Sequence, residues 1–131
     1  FLNLFIRDIQ TIRRGTILTG ISDLEDKHLK NKNSVKAILD NNDHVICFTR
    51  SHFFSKSKNV FKHIGIYGFC SEDLDHIGKI ETTEESSVQS LEQISWMENG
   101  FLIKARLSYS ESICVDTLDD LERAKIFFST L

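Results

Sequence analysis

The chain has 131 residues, enough for one ordinary domain with a buried core. A hydrophobic share of 40%, a charged share of 27% and a net charge of -3 exclude a disordered or fibrous polymer. They also give no electrostatic support for wholesale binding to nucleic acid or to a membrane surface, and no apolar run reaches bilayer length.

In chain order, Leu2, Phe5, Ile6, Ile9 and Ile12 recur at helical spacing, which predicts an amphipathic helix over residues 1–14 ending near Gly15. Residues 16–21 (TILTGI) read as a short strand, and Ser22-Asp23 as the cap of a helical turn through His28. The β-rich runs 35–39 and 45–48 flank Asp40-Asn41-Asn42-Asp43, a strong turn signal, and so predict a hairpin. Residues 50–62 form a basic connector without an acidic residue. Its lysines alternate with Phe53, Phe54 and Phe61, but the stretch is short and isolated in a mildly acidic chain, so no nucleic-acid partner is expected.

Residues 62–70 (KHIGIYGFC) follow as a strand. Ile64, Ile66 and Phe69 are expected to face the core, with His63 and Tyr67 sharing one face. Gly65 and Gly68 leave room there for a close approach. A short helix from Ser71 to Gly78, one continuous helix from Ser86 to Asn99 stopped by Gly100, and a strand over 101–107 come next. Thr117-Leu118-Asp119-Asp120 then reads as a capping box opening a last helix through Phe127. There is no internal repeat and no low-complexity linker, so residues 1–131 are read as one mixed α/β unit.

Cys47, Cys70 and Cys114 are odd in number, widely spaced and set among apolar residues. They read as reduced core thiols of a cytoplasmic protein. With the five histidines they form no C-x-x-C or H-x-x-x-H spacing, which argues against zinc. The opening residues do not read as a secretory leader. The start at Phe1 inside a helical pattern and the lack of any proline suggest a piece of a longer protein.

Several polar residues stand out. Asp116 precedes a helix start after a strand, where a carboxylate at a strand's carboxyl edge meets ligands in open α/β sheets; it also suits simple helix capping. Arg50 ends a strand and suits either solvent or an anionic group. Glu92 shares a helical row with Val88 and Trp96, so a partly buried carboxylate needing a partner is expected there.

Four ordered stretches belong together: Phe48 to Arg50 (FTR), Lys62 to Phe69 (KHIGIYGF), Ser90 to Ile94 (SLEQI) with Met97 to Gly100 (MENG), and Val115 to Ala124 (VDTLDDLERA). In this order and spacing they resemble the C-terminal half of the 3-deoxy-manno-octulosonate cytidylyltransferases, the CMP-KDO synthetases. The likeness runs from Gly15 to Ala124.

The resemblance implies the C-terminal half of a Rossmann-like nucleotide-diphospho-sugar transferase fold, a mixed sheet with flanking helices. It also implies transfer of CMP from CTP to the sugar acid KDO with release of pyrophosphate, in lipopolysaccharide synthesis, with Mg2+ as cofactor and a homodimer as the assembly. Carried over residue by residue, Asp116 becomes the catalytic metal ligand, and Arg50, His63, Tyr67, Glu92 and Gln93 become sugar-acid contacts. The family's N-terminal half carries a basic phosphate-binding loop and a Gln-Gly-Asp segment with a second metal carboxylate. Neither motif occurs in this sequence, so turnover by this chain alone is not expected.

There are smaller departures. Cys70 and Ser95 stand where the family has arginine, Cys114 where it has glycine, and Leu118 where it has proline. The alternative reading is a non-catalytic relative that keeps a dimerising or sugar-acid-binding surface.

Overall fold

A computed structural model describes residues 1–109 and 115–130. Among the described residues, six α-helices and five strands follow one another as α1 (Leu2–Ile9), β1 (Thr16–Ser22), α2 (Asp26–Leu29), β2 (Lys36–Leu39), β3 (Val45–Thr49), β4 (Val60–Phe69), α3 (Leu74–Ile77), α4 (Glu84–Gln89), α5 (Glu92–Glu98), β5 (Leu102–Ser108) and α6 (Leu118–Ser129). The strands make one mixed sheet in the order β3-β2-β4-β1-β5. Only β1 and β5 run parallel; the other pairs are antiparallel. Among the described residues no helix is long and apolar enough to cross a membrane.

β4 holds the sheet together. Its first residues pair with β2, Lys62 opposite Lys36 and Val60 opposite Ile38, while Lys62 to Phe69 pair with β1. The sheet is therefore staggered. At the level of Lys62 it meets the carboxyl ends of β1 (Ser22), β5 (Ser108) and β3 (Thr49). The expected hairpin joins β2 and β3; Asp43 takes a left-handed φ of 62°, and the Asp40 carboxylate accepts from the Asn42 and His44 amides. That is the local side-chain bonding which makes Asp and Asn turn formers.

One face of the sheet carries the main core. Ile17, Ile21, Ala37, Phe48 and Ile103 pack there with Leu91 and Ile94 from the α5 region. The other face is covered by α1 through Phe5, which is buried.

Four expectations need correction. The first helix ends at Ile9 rather than near Gly15, because the chain must turn into β1. It does so through a turn from Arg13 to Thr16, with Gly15 at φ 81° and its amide donating to the buried Asp73 carboxylate at 2.7 Å.

The single helix over 86–99 is two helices, α4 and α5, broken at Ser90, which is left-handed (φ 53°, ψ 47°). A continuous helix would direct the Gln89 and Ser90 carbonyls to the amides of Gln93 and Ile94. Instead Arg50 takes both, Nε donating to Gln89 O at 2.8 Å and an η nitrogen to Ser90 O at 3.4 Å.

Ile64 and Ile66 do not join the main core. Phe61, Tyr67 and Phe69 pack against it, whereas Ile64 and Ile66 lie on the α1 side near Gly20 and Phe1. Cys47 is exposed on edge strand β3 rather than a core thiol, Cys70 is half-buried, and Cys114 lies outside the described residues.

Candidate functional site

A cavity of about 800 Å³ opens where the staggered strand ends leave the sheet. It is walled by the α2 region and the loop before β2, by β4, by the α4–α5 break and by the start of α6. Arg50, His63, Tyr67, Gln93 and Asp116 all line it; Glu92 does not. Lys27, Lys32, Lys62 and Arg123 add basic side chains, against the acids Asp116 and Asp120. The balance of charge favours an anionic occupant.

His63 is buried, with its ring edge-on to Phe48 at 4.8 Å and tilted against Tyr67 at 5.7 Å. Its Nε2 lies 2.9 Å from Thr19 Oγ1. Burial pushes the imidazole pKa down to about 4, so the ring is neutral near neutral pH. Tyr67 sits between His63 and Trp96, whose ring meets it edge-on at 4.8 Å. Burial, with the Glu92 carboxylate as a second cause, pushes its pKa up, so it stays a phenol with a proton to donate. Gln93 is almost wholly buried at 2% exposure, and its amide offers both donors and an acceptor.

Glu92 differs from its sequence expectation. It is exposed at the first position of α5, and Val88, its supposed row-mate, is 73% exposed on the other side of the helix break. The row does not exist because Ser90 ends the helical period between them. Glu92 still acts on the site through its field on Tyr67.

Arg50 is half-buried, and its guanidinium is bonded to backbone. Besides Gln89 and Ser90 it donates to the carbonyls of Lys32 at 3.2 Å and Asn33 at 3.5 Å. It binds the loop before β2 to the helix break, two walls of the cavity.

Asp116 is exposed just before α6. The capping there is done by others: Thr117 Oγ1 accepts from the Asp120 amide at 3.1 Å, and the Asp120 carboxylate accepts from the Thr117 amide at 3.0 Å. Asp120, the last residue of the expected box, is largely buried and paired with Arg123. Bonds from Thr117, Arg123 and the local amides hold its pKa below the usual carboxylate range. Asp116 is thus the cavity-lining carboxylate at this helix start that capping does not need.

Among the described residues no group of three His, Cys, Asp or Glu side chains could hold a metal ion. Asp116 fits magnesium only as one oxygen ligand, in the manner of sites completed by substrate phosphates and water.

Thr19, Lys36 and Arg123 were not singled out from the sequence. Lys36 is fully buried, its ammonium donating to Asn31 O at 2.8 Å, and burial followed by the Arg50 charge lowers its pKa. A lysine inside the apolar run VKAIL was the available signal.

No protein-family model matches the sequence. Curated relatives do. The chain is 38% identical over 104 residues to the 3-deoxy-manno-octulosonate cytidylyltransferase of Fusobacterium nucleatum, covering 76% of this chain and 42% of that protein. It is 33% identical over 126 residues to the enzyme of the same name from Thermodesulfovibrio yellowstonii, covering 88% and 49%. The chain therefore spans about half the length of the curated relatives it matches. A solved CMP:2-keto-3-deoxy-manno-octonic acid synthetase complexed with CTP shares the fold with a TM-score of 0.84 at 18% identity, over 98% of this chain and 55% of that one.

Proposed function

This chain is homologous to the 3-deoxy-manno-octulosonate cytidylyltransferases over about half their length, and we propose from that premise that its cavity is the sugar-acid side of such an active site. The observation that carries the reading is the convergence of Arg50, His63, Tyr67, Gln93 and Asp116 on one basic cavity. KDO bears a carboxylate and several hydroxyls. The basic rim suits the carboxylate, and the neutral groups of His63, Tyr67 and Gln93 suit hydroxyls.

In the proposed reaction the anomeric hydroxyl oxygen attacks the α-phosphorus of CTP. The bond from that phosphorus to pyrophosphate breaks, its electron pair leaving with the pyrophosphate, and the hydroxyl proton passes to solvent water. Asp116 would hold a magnesium ion, which supplies charge neutralisation at the phosphate oxygens. Tyr67 donates and stays protonated, Gln93 orients the sugar, and Arg50 keeps the two cavity walls together. In the family the nucleotide phosphates are held by the basic loop and the Gln-Gly-Asp segment, motifs these 131 residues do not include. The chain by itself is accordingly proposed to bind KDO without turnover, and to act with a nucleotide-binding half in a homodimer.

Calorimetry with KDO and with CTP separately, alongside a pyrophosphate-release assay, tests this. KDO binding without pyrophosphate release is the expected result. Absence of KDO binding at millimolar concentration would remove the sugar-acid reading, and CTP-dependent turnover by the 131-residue chain would remove the division of labour. In an enzyme carrying both halves, Asp116→Asn should abolish turnover with folding nearly intact; undiminished activity would take Asp116 out of the site.

A further inference from the structure

Thr19 is fully buried in the middle of β1, opposite an irregularity in β4. Thr19 pairs with Tyr67 and Gly20 pairs with Ile64, so Gly65 and Ile66 are skipped in the register. The displaced Ile66 carbonyl comes within 2.9 Å of Thr19 Oγ1, and the Ile64 carbonyl lies at 3.5 Å. The same Oγ1 is 2.9 Å from His63 Nε2.

A hydroxyl has one proton, and a carbonyl oxygen only accepts. The Thr19 proton therefore goes to Ile66 O, since the reverse choice would set two oxygen lone pairs against each other at 2.9 Å. Toward His63 the hydroxyl then offers a lone pair, so Nε2 must carry a hydrogen. The buried ring is neutral and has only one N–H, which leaves Nδ1 as an acceptor. Nε2 is committed to Thr19, and His63 lines the cavity, so Nδ1 is the polar ring atom left for an occupant.

We propose that Thr19 is a positioning residue that holds His63 in its Nε2–H tautomer, so that Nδ1 accepts a hydrogen bond from a hydroxyl of the cavity's occupant and turns away a carboxylate. The tautomer follows from this chain's own contacts. The choice of a sugar hydroxyl rests on the sugar-acid reading above. The device divides the labour: basic side chains take the acid group, and His63 reads a hydroxyl position.

The test has two arms. Two-bond proton–nitrogen correlation spectra of the 15N-labelled 131-residue chain near neutral pH should show a protonated Nε2 and an unprotonated Nδ1 for His63. Thr19→Val should mix or reverse the tautomers, and Thr19→Ser should restore them. An Nδ1–H tautomer in the native chain overturns the proposal, as does an unchanged tautomer in a folded Thr19→Val variant.

The second arm compares KDO, its single-deoxy analogues and its carboxamide on the native chain and on His63→Ala. One deoxy analogue should bind about five- to tenfold more weakly to the native chain, and lose that penalty in His63→Ala. The carboxamide penalty should be the same in both proteins. If instead the carboxamide penalty disappears in His63→Ala, His63 reads the carboxylate and the proposal fails. If KDO does not bind the native chain at all, the cavity reading and the hydroxyl half fail together, while the spectra still decide the role of Thr19.

Discussion

Lowering the pH from about 7 to about 5 is expected to cost the folded chain about 2 kcal/mol through His63 alone. The imidazole falls from its ordinary 6.5 to about 4 because folding removes it from water. In the unfolded chain the ring gains a proton as pH drops through 6.5; in the folded chain it resists until about 4. Between those values the unfolded state binds more protons, so stability is present above 6.5 and is lost progressively toward 4. At about pH 5 the unfolded ring is almost all charged and the folded ring almost all neutral, which gives the figure of about 2 kcal/mol.

Urea unfolding, followed by the fluorescence of the sole tryptophan, Trp96, is a suitable assay because its indole packs edge-on against Tyr67 beside His63. His63→Gln keeps a polar group near Thr19 but has nothing to titrate. Its stability at any one pH is immaterial; only the change with pH matters, and carboxylates common to both proteins cancel. The native chain should lose about 2 kcal/mol more than His63→Gln over this range. Equal losses, within about 0.5 kcal/mol, would show that folding does not desolvate His63 and would refute the reasoning.

The remaining expectations concern the walls of the cavity. Arg50→Ala should destabilise by about 1–3 kcal/mol, because a charged donor shared among several backbone carbonyls is lost, and Arg50→Lys should recover less than half; a loss below about 0.5 kcal/mol in urea melts would mean a solvated arginine. Ser90→Gly should be neutral or stabilising by up to about 1 kcal/mol and Ser90→Val destabilising by about 1–2 kcal/mol, since only glycine holds the left-handed break without cost. A stabilising Ser90→Val would argue for a continuous helix. Gly68→Ala would drive a methyl into the Ile9 side chain and should cost about 1–3 kcal/mol, with α1 displaced. Gly65→Ala meets nothing within 4 Å and should leave thermal stability unchanged, yet Gly65 lines the cavity, so KDO affinity should fall. Equal melting temperatures for the two alanine variants would undo the placement of α1.

The sequence by itself carried the strands, the hairpin and the last helix, because each depends on signals within a few residues: alternation, the Asp-Asn-Asn-Asp turn, and the Thr117–Asp120 box. Its four ordered stretches also pointed to the cytidylyltransferases. Of the six site residues it named, all but Glu92 share the cavity, since the family likeness holds their order along the chain.

Tertiary structure decided what depends on partners far along the chain. Arg50 donates to the carbonyls at a helix break 39 residues away, and across that break Glu92 lies at the surface and Val88 off its row. Local periodicity cannot register a competing donor from another strand. The same holds for His63, 44 residues from the threonine that occupies its Nε2. A histidine in a strand can be read from sequence as a ligand or a core residue. Which nitrogen carries its proton is settled only by the hydroxyl and carbonyl that folding brings beside it.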